Sequence, residues 1–402
     1  WHPLFSKAGF YTFRDGLWLP RIDDTRLDTA SDILTIEANE RGDEVFVGTH
    51  SYGLIHLKNR KLVDIYTDKN SLLERAGGGY VQTDGLALDS KGNLWITNYD
   101  AEKALKVRTP NGSFNEFTIP TNRPTDIVVD NFDQKWMISR DLSEGIIVFK
   151  ETAGVMGSDH LEKTLKATVG QGSLPSNEVN ALVVDDDGEI WVGTAEGLAV
   201  FYNPGGVFEN ADFAEAKRFI IDDGKDIGYL LGSEVINDIQ LDGANRKWVA
   251  TNTGAWLIAA DGSEVVRHFT AQNSPLLSNE VICVGVLPET GEVFFGTSKG
   301  IVSYRGDATD ANDKHGEVVI FPNPVRPNYK GPITITGLPH NATVKITDIA
   351  GRVVYEMLSN GGTAVWDGNN FNGQRAQTGI YLFITANEED EDPRVTKLLL
   401  VN

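Results

Sequence analysis

From Val179 onward the chain reads VNALVV, DDDGE, IWVGT, AE and GLAVF, so short apolar runs alternate with turn residues. Runs of five or six residues with a period of two, bounded by Asp, Gly and Asn, predict strands joined by tight hairpins. Glycine serves those hairpins because it takes positive φ without steric cost. The unit recurs. Its fullest copy is LPSNEVNALVVDDDGEIWVGTAEGLAVF, beginning at Leu174, and five relatives begin near Ser31, Thr83, Pro124, Ser233 and Leu276. Their aromatic anchors, Phe46, Trp95, Trp136, Trp191, Trp248 and Phe294, are spaced by 49, 41, 55, 57 and 46 residues.

Each copy predicts three antiparallel strands, and spacers such as LVDIYT after Lys61 and EVVRHFT at Glu264 supply a fourth. A four-stranded sheet cannot bury both of its faces alone, and repetition at about fifty residues predicts radial packing as a β-propeller of six to seven blades. The six aromatic anchors then act as wedges between adjacent blades. The first twenty-two residues resemble the second half of a further repeat, since SKAGFYTFRDG near Ser6 parallels SKGIVSYRGD at Ser298. Either the ring closes by pairing the two chain ends, or upstream residues complete a seventh blade. The copy ending at residue 305 lacks an evident fourth strand.

From Glu317 the texture changes. Prolines too dense for an interior strand lead into alternating runs separated by Asn-Gly and Gly-Gly turns. About seven short strands in this stretch predict an Ig-like β-sandwich. The fold class is therefore all-β, with a propeller over 1–305, a polar linker over 306–316 and a sandwich over 317–402.

Composition narrows the chemistry. The formal net charge of −21 argues against nucleic acid, which requires clustered Lys and Arg. Cys283, the single cysteine, excludes an intrachain disulfide and reads as a small core residue within VICVGV. No apolar run has the length of a transmembrane helix, and any export signal precedes the chain.

Two family resemblances are specific. The repeat resembles the two-component-regulator type propeller, whose pattern is Leu-Pro-Ser-Asn, Asp-x-x-Gly, Trp-x-Gly-Thr and Gly-Leu. The last domain resembles the type A C-terminal sorting domain of the bacterial type IX secretion system. It does so at Pro322, Asn323 and Pro324, at Asp348, Gly351 and Arg352, at Gly379 and Tyr381, and at Lys397 before the apolar end. WDGNNFNGQ also resembles FlgD-type Ig-like domains. The combination resembles the propeller subunits of the type IX attachment complex. This resemblance implies a non-enzymatic scaffold on the outer surface of a Gram-negative outer membrane. Its implied partners are the sortase and other attachment-complex proteins, with anionic lipopolysaccharide as a further one. The sorting motif would be a docking element.

No nucleophile elbow, zinc-binding helix motif or phosphate loop occurs. The histidines at 2, 50, 56, 160, 268, 315 and 340 are scattered, and His50 and His56 flank one hairpin. Asp185-Asp186-Asp187-Gly188 sits where other copies place turns, so turn chemistry takes precedence over calcium. No catalytic residue, metal or cofactor is assigned. Binding residues in propellers gather on loops at the channel mouths, and the candidates are the insertions near Lys103, at 150–172 and at 203–232. Asp159 to Lys166 and Phe208 to Lys217 read as short helices. The alternative function is a secreted cargo propeller that binds or degrades a glycan, with the tail as a sorting signal only. A streptogramin-lyase-like enzyme is a further reading, without the metal and histidine it would need.

Overall fold

The computed structural model describes residues 11–14, 16–39, 41–222, 227–311, 314–387 and 390–402. The fold is all-β, with propeller blades followed by an Ig-like sandwich. The chain divides into two compact units between Ile236 and Asn237.

The first unit holds blade 1 (33–66), blade 2 (83–117), blade 3 (124–165) and blade 4 (179–201). Blades 1 to 3 are four-stranded antiparallel meanders and blade 4 has three strands. A separate hairpin pairs Thr12–Arg14 with Leu17–Leu19, and the preceding residues of the expected half-blade lie outside the described ones. The second unit holds the four-stranded blade 5 (236–269), apart from its first residue, the three-stranded blade 6 (281–305) and the sandwich. In the sandwich, Val319–Phe321, Ile333–Thr336 and Thr363–Trp366 form one sheet. Thr343–Asp348, Val353–Leu358, Gly379–Asn387 and Asp390–Leu400 form the other. Its core includes Trp366, Val344, Ile346, Phe383 and Leu398.

Alternation along the second strand of each blade explains how neighbouring sheets join. The anchor aromatic turns to one face and the next residue to the other. Trp136 of blade 3 accordingly packs with Val192 and Phe201 of blade 4, its ring 5.1 Å from that of Phe201. Trp95 of blade 2 meets Met137 and Phe149 of blade 3 in the same way. Trp248 of blade 5 meets Phe295 of blade 6, and Phe46 of blade 1 meets Ile96 of blade 2. Burial of an indole of about 200 Å² removes on the order of 5 kcal/mol of apolar exposure. Trp95, Trp136 and Trp248 therefore contribute heavily to the seams in which they lie.

A second device orients the ring. Asp130 Oδ1 accepts the N–H groups of Phe132 and Gln134, closing the hairpin turn, while Oδ2 accepts the Trp136 indole N–H at 2.9 Å. Asp89 holds Trp95 likewise, and Asp185 holds Trp191. Blade 5 departs from this. Arg246 Nε occupies Asp242 Oδ2 at 2.9 Å, and Trp248 Nε1 is buried without an acceptor among the described residues.

Several sequence expectations change. Phe294 is half-buried, and the next residue, Phe295, is buried and meets Trp248. Cys283 is exposed rather than in the core. A register shift between Val281 and Cys283 sets it on the open face of blade 6, over Gly296. Asp159 to Lys166 forms no helix, since His160–Leu165 pairs along its whole length with Ile146–Glu151 as the outer strand of blade 3. Its exposed rim position explains the polar pattern that imitates a helix. Of Phe208 to Lys217, only Ala211–Ala214 is helical, as a 3₁₀ turn.

Candidate functional site

The sorting-motif residues converge at one end of the larger sandwich sheet. Register places Asp348, Tyr381 and Leu398 in one row across three strands, with Thr347, Leu382 and Lys397 in the next. Gly379 lies opposite Leu400. Asn323 is 74 residues from Lys397 in sequence, yet its Nδ2 donates to the Lys397 carbonyl at 2.8 Å. Its Oδ1 accepts the Leu399 N–H at 3.1 Å. Pro322 and Pro324 have no N–H to offer a neighbouring strand, so the Asn323 side chain takes that role. Val325 continues the clamp by donating to the Leu399 carbonyl and accepting from Val401 N–H.

Asp348 closes a turn by the same chemistry as the blade aspartates. Oδ1 accepts Ala350 and Arg352 N–H, and Oδ2 accepts Arg352 Nε at 2.8 Å. The Arg352 backbone hydrogen bond leads in holding its carboxyl below the usual range. Gly351 supplies the left-handed residue with φ of 81°. Tyr381 donates to the Gln377 carbonyl at 2.7 Å, and burial, with the Asp348 charge, pushes its phenol up. These residues build the end of the sheet. Lys397 and Arg352 are its exposed charges.

The segment after blade 6 is fixed on both sides. Gly306 N–H donates to Gly291 and Asp310 N–H to Pro288, both in the first hairpin of blade 6. Arg246 of blade 5 reaches Asp307 at 2.6 Å, which is why that turn gives up its indole bond. On the sandwich side, Thr309 accepts the Gly362 N–H at 2.7 Å, and its hydroxyl meets that of Thr363 at 2.6 Å. A Cβ on Gly361 would strike the carbonyl oxygens of Gly243 and Thr309. Sequence reading missed Arg246, Thr309, Gly243 and Gly361. The one available signal was Arg246 standing where other copies have Asn93, Gln134 and Glu189.

The expected insertions contain few free loops. The region near Lys103 becomes strands Leu105–Arg108 and Phe114–Phe117 of blade 2, and 150–172 contributes the outer strand of blade 3. The segment at 203–232 is a true insertion, strapped to blade 3 by Gln134 to the Pro204 carbonyl and by Lys163 to the Val207 carbonyl. Phe219 from this insertion stacks on Trp191 at 4.6 Å. Residues 223–226 of this segment lie outside the described residues.

No group of three His, Cys, Asp or Glu that could hold a metal occurs among the described residues. His56 is buried against Phe46 with its Nε2 2.7 Å from Glu44. His50 faces Tyr80 instead. Burial lowers both histidines, more than their acidic neighbours raise them.

Asp84, on the first strand of blade 2, has a strongly perturbed carboxyl. Burial pushes it up to about 6 against a Gln82 hydrogen bond and the Arg140 charge. Because the folded value exceeds 3.8, its ionisation opposes folding increasingly as pH rises from about 4 to 6. Asp84→Asn is expected to stabilise the protein by on the order of 2 kcal/mol at pH 7, with the gain shrinking toward pH 4. Urea unfolding at pH 4.5 and pH 7 measures it, and an equal effect at both would reject the assignment.

Comparison with known proteins finds likeness to both parts of the chain. Residues 173–196 match the two component regulator propeller and residues 319–401 match the secretion system C-terminal sorting domain. The chain is similar to PorZ, an essential bacterial surface component of the type IX secretion system of Porphyromonas gingivalis. Identity is 26%, TM-score 0.68, over 93% of this chain and 52% of that one. The chain thus spans about half the length of that protein. It also aligns with the extracellular domain of a one-component system from B. thetaiotaomicron at 13% identity and TM-score 0.48, over 92% of this chain and 49% of that one. Virginiamycin B lyase from Staphylococcus aureus aligns at 14% identity and TM-score 0.35, over 79% and 95% of the two chains. No curated protein matches the chain in sequence. Among the described residues, no helix is long and apolar enough to cross a membrane.

Proposed function

We propose that the chain is a non-enzymatic component of type IX protein secretion at the outer-membrane surface. It assists the sortase and its associated proteins in processing cargo and attaching it to anionic lipopolysaccharide. The sorting domain stays attached and serves as a docking module. One observation carries this reading: the segment at 306–310 is hydrogen-bonded into blade 6 and the sandwich at once. A peptidase needs an extended, accessible chain, and a segment paired on both sides resists cleavage. The domain limits of 1–305, 306–316 and 317–402 belong to this proposal.

Intact-mass measurement of the protein isolated from its native outer membrane is expected to include residues through Asn402. A deletion strain is expected to retain cargo in the periplasm. Loss of the tail together with normal cargo export would reject the proposal. It would favour a secreted cargo propeller that binds a glycan. That second reading draws on a cavity of about 480 Å³ in the first unit, lined by Tyr52, Tyr80, Thr67, Lys69 and Arg75.

A further inference from the structure

The larger sandwich sheet has one face on the core and one face open. Tyr381, Phe383 and Leu398 turn inward and are buried. Strand alternation therefore turns Ile380, Leu382 and Ile384 outward, and register sets Leu399, Lys397 and Val395 opposite them. Ile380, Leu399 and Val395 are 49%, 42% and 58% exposed. A solvated antiparallel face places polar residues at its outward positions. Here five aliphatic side chains on two adjacent strands surround a single lysine. Beside Leu382, the Thr347 hydroxyl is buried without a partner among the described residues.

We propose that this face is where the tail binds a protein partner, one that sets an apolar patch bearing a single carboxylate over Lys397. The inference rests on the docking reading above and names the surface and the chemistry it demands. Covering the face strips water from the Lys397 ammonium, and a desolvated charge is tolerated only when a partner answers it. Lys345, on the same face, already lies 3.6 Å from Glu356. Lys397 is in no ion pair among the described residues, so its charge is the one left for the partner.

Two other occupants fit less well. An anionic membrane calls for four to eight clustered Lys and Arg, whereas among the described residues this face offers two lysines and a glutamate, on a chain of net charge −21. A second copy docked face to face about a two-fold axis would bring Lys397 toward its own equivalent.

The test is photo-crosslinking of the full-length protein in its native cells. A benzophenone amino acid replaces Val395 or Ile380 on the face, or Val319 or Phe371 as exposed controls elsewhere on the sandwich. The face positions are expected to give one discrete protein adduct that the controls do not. Lys397→Glu should reduce that adduct at least tenfold and Lys397→Arg should preserve it, with unchanged melting temperatures. Reversing the partner's carboxylate to lysine should restore the adduct in Lys397→Glu. An absent adduct, one insensitive to Lys397→Glu, one with the mass of a second copy, or one with lipid alone would each overturn the proposal. Cargo export scored in the same strains keeps the two readings separate. A cargo defect in the deletion strain together with an adduct that ignores Lys397 would sink the face and leave the role intact. Normal export with a Lys397-dependent adduct would do the reverse.

Discussion

Trp136→Ala is expected to lower the unfolding free energy by about 3–5 kcal/mol, the usual cost of removing a buried indole. The ring is fully buried between blades 3 and 4, and the insertion residues Val207 and Ala214 close over the same cluster. Neither sheet can move in to fill the space without breaking its own ladder. Trp136→Phe keeps an aromatic wedge but loses the bond to Asp130 together with part of the ring volume, and the same change at Trp248 shares that loss of volume. Trp136→Phe is expected to cost about 1–2 kcal/mol. The same change at Trp248 should cost less, because that indole N–H has no acceptor among the described residues and Asp242 is bound to Arg246. Urea unfolding of the three variants checks this. Equal costs for Trp136→Phe and Trp248→Phe would show that the aspartate bond contributes nothing to the seam.

Gly361→Ala should destabilise the protein by about 2–4 kcal/mol, and Gly351→Ala by only about 1 kcal/mol. Both glycines have positive φ, 56° and 81°, so both substitutions carry the left-handed backbone penalty. A Cβ at Gly351 meets nothing within 4 Å. At Gly361 it meets carbonyl oxygens of blade 5 and of the connecting segment, which are main-chain atoms with little room to yield. The difference between the two variants therefore reports the junction rather than the turn. Limited proteolysis is expected to cut Gly361→Ala within 306–316 faster than the parent or Gly351→Ala. Equal cutting rates would show that the junction does not protect the segment.

The repeat explains why so much of the architecture is legible in the sequence. Strand alternation, turn residues and the aromatic period are local properties. Even the aspartates that hold the indoles of blades 2 to 4 stand a constant six residues ahead of them, as in Asp89 and Trp95 or Asp185 and Trp191. The outer strands were harder to read. His160–Leu165 lies at a rim, where one face is wet and hydrophobic alternation fades. Cys283 misled because an apolar run does not reveal which face lacks a neighbour, and a one-residue bulge changes the side to which a residue turns.

Sequence alone determined the class of fold and the likeness of the tail to a secretion sorting domain, because each depends on short-range pattern or on residue type at fixed spacing. Tertiary structure decided what those residues do. It set Asn323 against Lys397 and Leu399, let Arg246 bridge Asp242 of its own hairpin and Asp307, and closed Gly243, Thr309 and Gly361 into one seam. It also left the row containing Lys397 facing outward. Those contacts join residues as far as 118 positions apart, 361 − 243. No local preference encodes such pairings, which arise when complete sheets pack and their hairpin turns must satisfy their remaining backbone groups.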